Sequence, residues 1–283
     1  MAKQLLGKEV TAAMNQRLQE RVAALKEKGI SPKLAIIRCG ENPSDLAYEK
    51  GAESRAALIG VEVQKFLLPG DVSKGRLIET IDQVNADGSI HGCLLFRPLP
   101  LHLRGEQDKI CNHLRPEKDV DCMTDLSNAG VFTGKDLGFA PCTPQACMEI
   151  LHHYGIDPKG KRAVVIGRSL VVGKPAAMML DRENATVTLC NSRTRELPAL
   201  CREADVLVVA MGRRGAIGAG CLREGQVVVD VGIHVNEEGK LCGDVRFDEA
   251  EPIVEAVTPV PGGVGTVTTS VLVGHVVDAA SAQ

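Results

Sequence analysis

The sequence predicts an α/β protein of two domains, each built on a parallel sheet. Three observations carry that expectation. Short Val, Ile and Leu runs alternate with segments of helical period, the pattern of strands joined by right-handed helical crossovers. The length, 283 residues, is about twice that of a common domain. A turn-rich polar stretch, Arg115 to Leu137, interrupts the alternation near the middle.

In the first half, Met14, Leu18, Val22 and Leu25 recur at three- and four-residue steps, which predicts an amphipathic helix over Val10 to Lys28, ended near Gly29. Lys33 to Cys39 reads as a buried strand, with the turn signal Gly-Glu-Asn-Pro behind it. Helices are expected over Ser44 to Ile59 and Lys74 to Asn85, and strands over Val61 to Leu68 and Ile90 to Phe96. Arg97-Pro98-Leu99-Pro100 stops the last of these. Arg115 to Leu137 is taken as the seam between domains. Beyond it a helix is expected to run to Tyr154, with Thr143 as N-cap and Pro144 at the first helical position.

The second half repeats the alternation more cleanly. Strands are expected over Ala163 to Ile166, Thr186 to Cys190, Val206 to Val209 and Val227 to Val231. Such continuous apolar runs suit strands buried on both faces. Val271 to Ala280 is expected to form a helix that returns to the first domain. With no Trp, two Tyr and five Phe, the core must be aliphatic.

Composition excludes several functions. Lys+Arg 33 against Asp+Glu 36 leaves a formal charge of -3, not the basic surplus that gripping phosphates demands, so no nucleic-acid partner is expected. No apolar run reaches the ~18 residues of a membrane span, and Met1 to Val10 lacks a signal-peptide core, so no membrane association is expected. The ten cysteines are scattered without a C-x-x-C pair, which predicts reduced thiols, a cytoplasmic setting and no metal site. Adjacent His152 and His153 would point about 100° apart on a helix and do not form a clamp.

The strand ending at Gly167 runs through Arg168, Ser169 and Gly173 into a helix over Ala176 to Leu180. A glycine-bearing turn between strand and helix lets backbone N–H groups meet a pyrophosphate. G-R-S-x-x-x-G is not the usual G-x-G-x-x-G, and a plain surface turn is an equal reading of it. The end of the next strand decides more. NAD enzymes commonly place an acid there, whereas Cys190-Asn191-Ser192-Arg193-Thr194-Arg195 offers hydroxyls and two guanidinium groups. Arginine forks suit phosphate oxygens, which favours NADP over NAD.

Several ordered segments carry a resemblance over nearly the whole chain. They include Gly40-Glu-Asn-Pro-Ser-Asp-Leu-Ala-Tyr48, Arg97-Pro-Leu-Pro100, Lys118-Asp-Val-Asp121, Pro141-Cys-Thr-Pro144, Gly167-Arg-Ser169 and Thr258-Pro-Val-Pro-Gly-Gly-Val-Gly265. They resemble the methylenetetrahydrofolate dehydrogenase/methenyltetrahydrofolate cyclohydrolase family of folate one-carbon metabolism. The resemblance implies an N-terminal three-layer α/β catalytic domain over 1–120, completed by the C-terminal helix 266–283. It also implies a Rossmann-type NADP-binding domain over 121–265, a folate cleft between the two, and a homodimer. By the same resemblance Tyr48 lies beside the folate and Asp121 bonds the pterin ring. Pro261, Gly262 and Gly263 form the loop beside folate and nicotinamide, and Ile233 offers its backbone near the nicotinamide. Gly167, Arg168, Ser169, Gly173, Ser192 and Arg193 hold the rest of the cofactor.

The chain departs from the family pattern at a chemically specific point. The pattern is Tyr-x-x-x-Lys, and four residues after Tyr48 stands Ala52. That lysine is the family's cationic catalyst of the cyclohydrolase step, and the glutamine that supports it corresponds to Phe96. Lys50 lies about 200° from Tyr48 around a helix. Arg55 is nearer that face, but a guanidinium is a poor base. The sequence therefore predicts a dehydrogenase whose cyclohydrolase is weak or lost. A fully bifunctional enzyme, or a folate- and nucleotide-binding protein without turnover, are the alternatives. Asn191 in place of the family histidine bears on cofactor preference, and Cys122 in place of its glycine on loop shape.

Overall fold

The computed structural model describes residues 1–282. In chain order its first half contains β1 (Lys3–Gln4), α1 (Gly7–Glu27), β2 (Lys33–Cys39), α2 (Pro43–Ile59), β3 (Glu62–Leu68), α3 (Lys74–Ala86), β4 (Gly92–Leu95), α4 (Gln107–Cys111), α5 (Asp125–Thr133) and α6 (Cys142–His153). The second half contains β5 (Arg162–Ile166), α7 (Gly173–Arg182), β6 (Thr186–Cys190), α8 (Leu197–Glu203), β7 (Val206–Val209), β8 (Val227–Asp230), β9 (His234–Val235), β10 (Leu241–Cys242), α9 (Phe247–Ala250), β11 (Ala256–Val257) and α10 (Val264–Ser281).

The chain divides into two units, one of residues 13–142 and 269–283, the other of 1–12 and 143–268. These bounds differ from the expected 1–120 and 121–265. The N-terminus belongs with the second half because β1 pairs in parallel with β11, Lys3 opposite Ala256 and Gln4 opposite Val257. The presumed seam stays with the first half. It is not a linker, since it holds α5, capped by Thr124, whose side chain accepts from the Ser127 amide.

The first unit has a parallel sheet of order β3-β2-β4. Ala35, Ile37, Leu77, Ile81, Leu95 and Ile110 anchor its core. Within it α10 lies against α1: Arg21 bridges to Asp278 at 2.7 Å and the Ser270 hydroxyl donates to Asn15 at 3.0 Å. The Gly-Glu-Asn-Pro signal after β2 is the start of α2, where the Asn42 side chain accepts from the Ser44 amide and Pro43 occupies the first turn.

The second unit carries a six-stranded, wholly parallel sheet of order β1-β11-β8-β7-β5-β6. The chain leaves β5 for β6 on one side and returns to β7 on the other, so strand order reverses between β5 and β7. In open parallel sheets that reversal opens a crevice at the carboxyl ends of the strands. Val164, Ile166, Leu207, Val209, Val228 and Val257 fill the core beneath. One expected cap is corrected: α6 begins at Cys142, so Thr143 sits inside its first turn and is not the N-cap, and Pro144 is its third residue and not its first.

Candidate active site

The glycine turn after β5 stands at the reversal point. Gly167 has φ 131°, and a β-carbon there would meet the Ala210 carbonyl oxygen, just past β7, at 2.2 Å. Gly173, the first residue of α7, is buried, and a β-carbon on it would stand 1.9 Å from the Gly167 carbonyl oxygen. Both positions require glycine, one for its backbone conformation as well as its space. Ser169 shapes the turn by accepting from the Val172 amide at 3.1 Å, while the Arg168 side chain is exposed.

The loop after β6 lies alongside, because the Gly167 amide donates to the Cys190 carbonyl at 2.9 Å. Asn191 organises it: its side chain accepts from the Arg193 amide at 3.0 Å, and its own amide donates to the Thr194 hydroxyl at 2.9 Å. Asn191 is therefore a turn-former. Ser192 and Arg193 are exposed at the tip, and Arg195 is exposed beyond them.

Ile233, Pro261, Gly262 and Gly263 also fall in this unit. Ile233 is 60% exposed, and its Cδ1 would meet a β-carbon on Gly265 at 3.2 Å. Gly262 has φ 105°, and its carbonyl accepts from the Gly7 amide at 2.8 Å. Gly263 is packed on Pro259 and Thr258, leaving no room for a side chain. Asp230, at the end of β8, stabilises the turn leading to Ile233 by accepting from the Gly232 amide at 2.9 Å. Burial pushes its carboxyl up to about 6, against the pull of three backbone N–H donors.

Tyr48 and Asp121 belong to the other unit. Tyr48 projects from α2, and the Phe96 ring meets it edge-on with centroids 6.1 Å apart. Ala52, one turn on, is fully buried, whereas Lys50 is exposed. The neighbouring Glu49 is committed to a buried ion pair with Arg38 at 2.8 Å. Arg55 is half-buried, and desolvation lowers its pKa.

The Lys118-Asp-Val-Asp121 motif separates into scaffold and presented residue. Lys118 is buried and donates to the carbonyls of Val84, Asn85 and Asp87, the end of α3. Asp119, fully buried, accepts from the amides of Met123 and Thr124 and from the Thr124 hydroxyl. Asp121 alone remains partly exposed, 3.5 Å from the Arg97 guanidinium. Desolvation pushes its carboxyl above the usual range, opposed by Arg97 and by donation from Cys142. Cys122 adopts φ 54°, so a cysteine here holds a left-handed conformation that glycine takes without strain.

Residues 5–121 match the model of the tetrahydrofolate dehydrogenase/cyclohydrolase catalytic domain, and residues 141–283 match that of the NAD(P)-binding domain of the same family. The chain belongs to that family. The bifunctional protein FolD of Carboxydothermus hydrogenoformans is 52% identical over 282 residues, covering 99% of this chain and 97% of that one. The crystal structure of the Campylobacter jejuni bifunctional enzyme superposes with a TM-score of 0.95 at 37% identity, covering 100% of this chain and 99% of its own. That of the Trypanosoma brucei enzyme, complexed with NADP and an inhibitor, gives 0.92 at 32% identity, covering 99% and 98%.

Within this tetrahydrofolate dehydrogenase/cyclohydrolase, the structure gathers Gly167, Arg168, Ser169, Gly173, Ser192 and Arg193 around the sheet's reversal point, and Ile233 beside the Pro259–Gly265 loop. Tyr48 and Asp121 lie in the other unit. Arg97 is a neighbour of Asp121 that the sequence does not announce: a charged residue before a proline reads as a strand stop, and only tertiary structure sets it 3.5 Å from Asp121.

Proposed function

We propose that this enzyme oxidises 5,10-methylenetetrahydrofolate to 5,10-methenyltetrahydrofolate with NADP, and that its hydrolysis of the methenyl product is weak. The observation that carries the second part is Ala52, a methyl group wholly buried where the family pattern has an ammonium. Hydrolysis of a methenyl cation needs an activated water and a proton relay, which a side chain of tunable pKa supplies. Here Lys50 is exposed and Arg55 is a guanidinium, while Phe96 packs its ring on Tyr48.

The dehydrogenase half asks less of the protein. The substrate's own nitrogen lone pair drives a hydride off the bridging carbon, and NADP supplies its acceptor. What the chain contributes is binding and alignment. The Gly167–Gly173 cradle has no room for a β-carbon, which suits close approach of a pyrophosphate to backbone amides. Exposed Arg168, Ser192 and Arg193 offer donors for a ribose phosphate, with no carboxylate between 190 and 195. Asp121 remains partly exposed beside Arg97, with its pKa raised by desolvation, and its carboxyl oxygens can meet the polar edge of a pterin.

A fully bifunctional enzyme is the second reading, favoured by the name of the 52% identical relative. Purified protein given methylenetetrahydrofolate and NADP decides between them. Reduced cofactor with lasting methenyl absorbance is the expected result; decay of that absorbance well above the uncatalysed rate supports the second reading.

A further inference from the structure

We propose that His234 is a positioning residue for the dehydrogenase step, acting through Asp244 to fix the backbone that Ile233 offers the nicotinamide. The inference rests on the cofactor site proposed above and goes beyond it, because His234 touches neither ligand in that reading.

Asp244 is fully buried. Its Oδ2 accepts from the amides of Met211 at 2.6 Å and Gly212 at 3.0 Å, and its Oδ1 from the amide of Arg213 at 2.7 Å. Three consecutive amides of the turn after β7 thus converge on one carboxylate. The fourth partner is His234, whose Nε2 lies 2.7 Å from Oδ1. A carboxylate only accepts, so this nitrogen carries the proton and donates.

Ile233 is therefore tied on both sides. Before it, the Gly232 amide donates to Asp230 at 2.9 Å; after it, the His234 ring is held by Asp244. The two aspartates are themselves joined, since the amides of Asp244 and Val245 donate to Asp230 at 3.1 and 2.9 Å. Packing leaves little slack. A β-carbon on Gly232 would meet the Asp244 amide nitrogen at 2.5 Å, and one on Gly243 would meet Asp230 Oδ2 at 1.8 Å. Of these ties, only the His234 ring is a partly exposed side chain, 22% accessible. It can be altered without cutting a main-chain bond.

This arrangement divides the cofactor site into two ends. Among the described residues, Asp244 and His234 are hydrogen-bonded neither to the Gly167–Gly173 turn nor to the Asn191 loop, so loss of the His234 tie should loosen the Ile233 end more than the other. Small misplacements of a reacting centre are costly in rate even where binding survives.

The test compares His234→Ala with His234→Gln, whose amide reaches a similar distance and still donates. In the ligand-free protein, amide exchange at Met211 to Arg213 should quicken at least tenfold in His234→Ala and return towards wild type in His234→Gln. With NADP, His234→Ala should lower kcat about tenfold and expose the full isotope effect from deuterated methylene substrate. Its Kd for NADP should change less than threefold, and His234→Gln should recover most of the rate. Wild-type exchange and kcat in His234→Ala overturn the proposal. So does a parallel loss of kcat, affinity and thermal stability that glutamine does not restore. Failure of the underlying cofactor reading looks different: the wild-type protein itself neither binds NADP nor transfers hydride.

Discussion

Gly173 opens α7 directly against the carbonyl of Gly167, whose amide donates to the Cys190 carbonyl. The two glycines close the turn on itself, and the chain has no slack there for a methyl group. Gly173→Ala should cost about 1–3 kcal/mol, as overpacked sites do. The accompanying fall in Tm is expected at about 2–4 °C for each kcal/mol. NADP affinity should drop at least tenfold by calorimetry, a method that suits a chain without tryptophan.

Arg193 stands exposed at the tip of a loop shaped by Asn191. Arg193→Ala should leave that loop in place while removing the guanidinium proposed to meet the cofactor phosphate. The expected result is a rise in KM for NADP of about tenfold or more, from the loss of a charge-assisted bond. KM for NAD should change less than threefold. Equal losses for both nucleotides would defeat the 2′-phosphate assignment.

Ala52→Lys places an ammonium on the buried face of α2. Methenyl hydrolysis should rise at least tenfold, read as decay of methenyl absorbance. Stability should fall by several kcal/mol, because a charge enters a desolvated place without a prepared partner. If the single variant stays inert, adding Phe96→Gln should release the activity, since the Phe96 ring now packs on Tyr48.

Asp230 gives a pH prediction whose sign is opposite to that of a salt-bridged carboxylate. Its carboxyl is raised from 3.8 to about 6 by burial. The folded state therefore binds a proton more tightly than the unfolded chain. The contribution is favourable below about pH 4 and is lost as pH rises through about 6. It amounts to a few kcal/mol at most, on the scale of about 1.4 kcal/mol per pKa unit. The Asp230 carboxyl carbon in NMR should titrate near 6, and the denaturation midpoint should carry a matching downward component between pH 4.5 and 7.

Much of this was legible in the sequence. Thr186–Cys190 and Val206–Val209 form strands with the bounds the pattern predicted, because buried parallel strands leave continuous apolar runs. The glycine turn and the arginine loop were legible for a related reason: local chain geometry dictates residue type there. α5 was missed because Ser127, Asn128 and Gly130 are weak helix formers, although the cap at Thr124 and the left-handed Gly134 that end it were both in plain view. The Lys118–Asp121 motif shows the other limit. Three of its charges stand side by side in sequence, and only burial separates Lys118 and Asp119, which hold the chain, from Asp121, which stays partly exposed. The His234–Asp244 bond joins residues ten apart across a hairpin, and no periodicity announces it.

The pairing of Lys3 and Gln4 with Ala256 and Val257 has a consequence for synthesis. A ribosome delivers Lys3 and Gln4 long before their sheet partners Ala256 and Val257. The other unit waits as well, for the segment from Thr269 onward. Neither half can finish folding until its late segment has left the ribosome, so Lys3 and Gln4 must stay unmated while all the intervening chain is made.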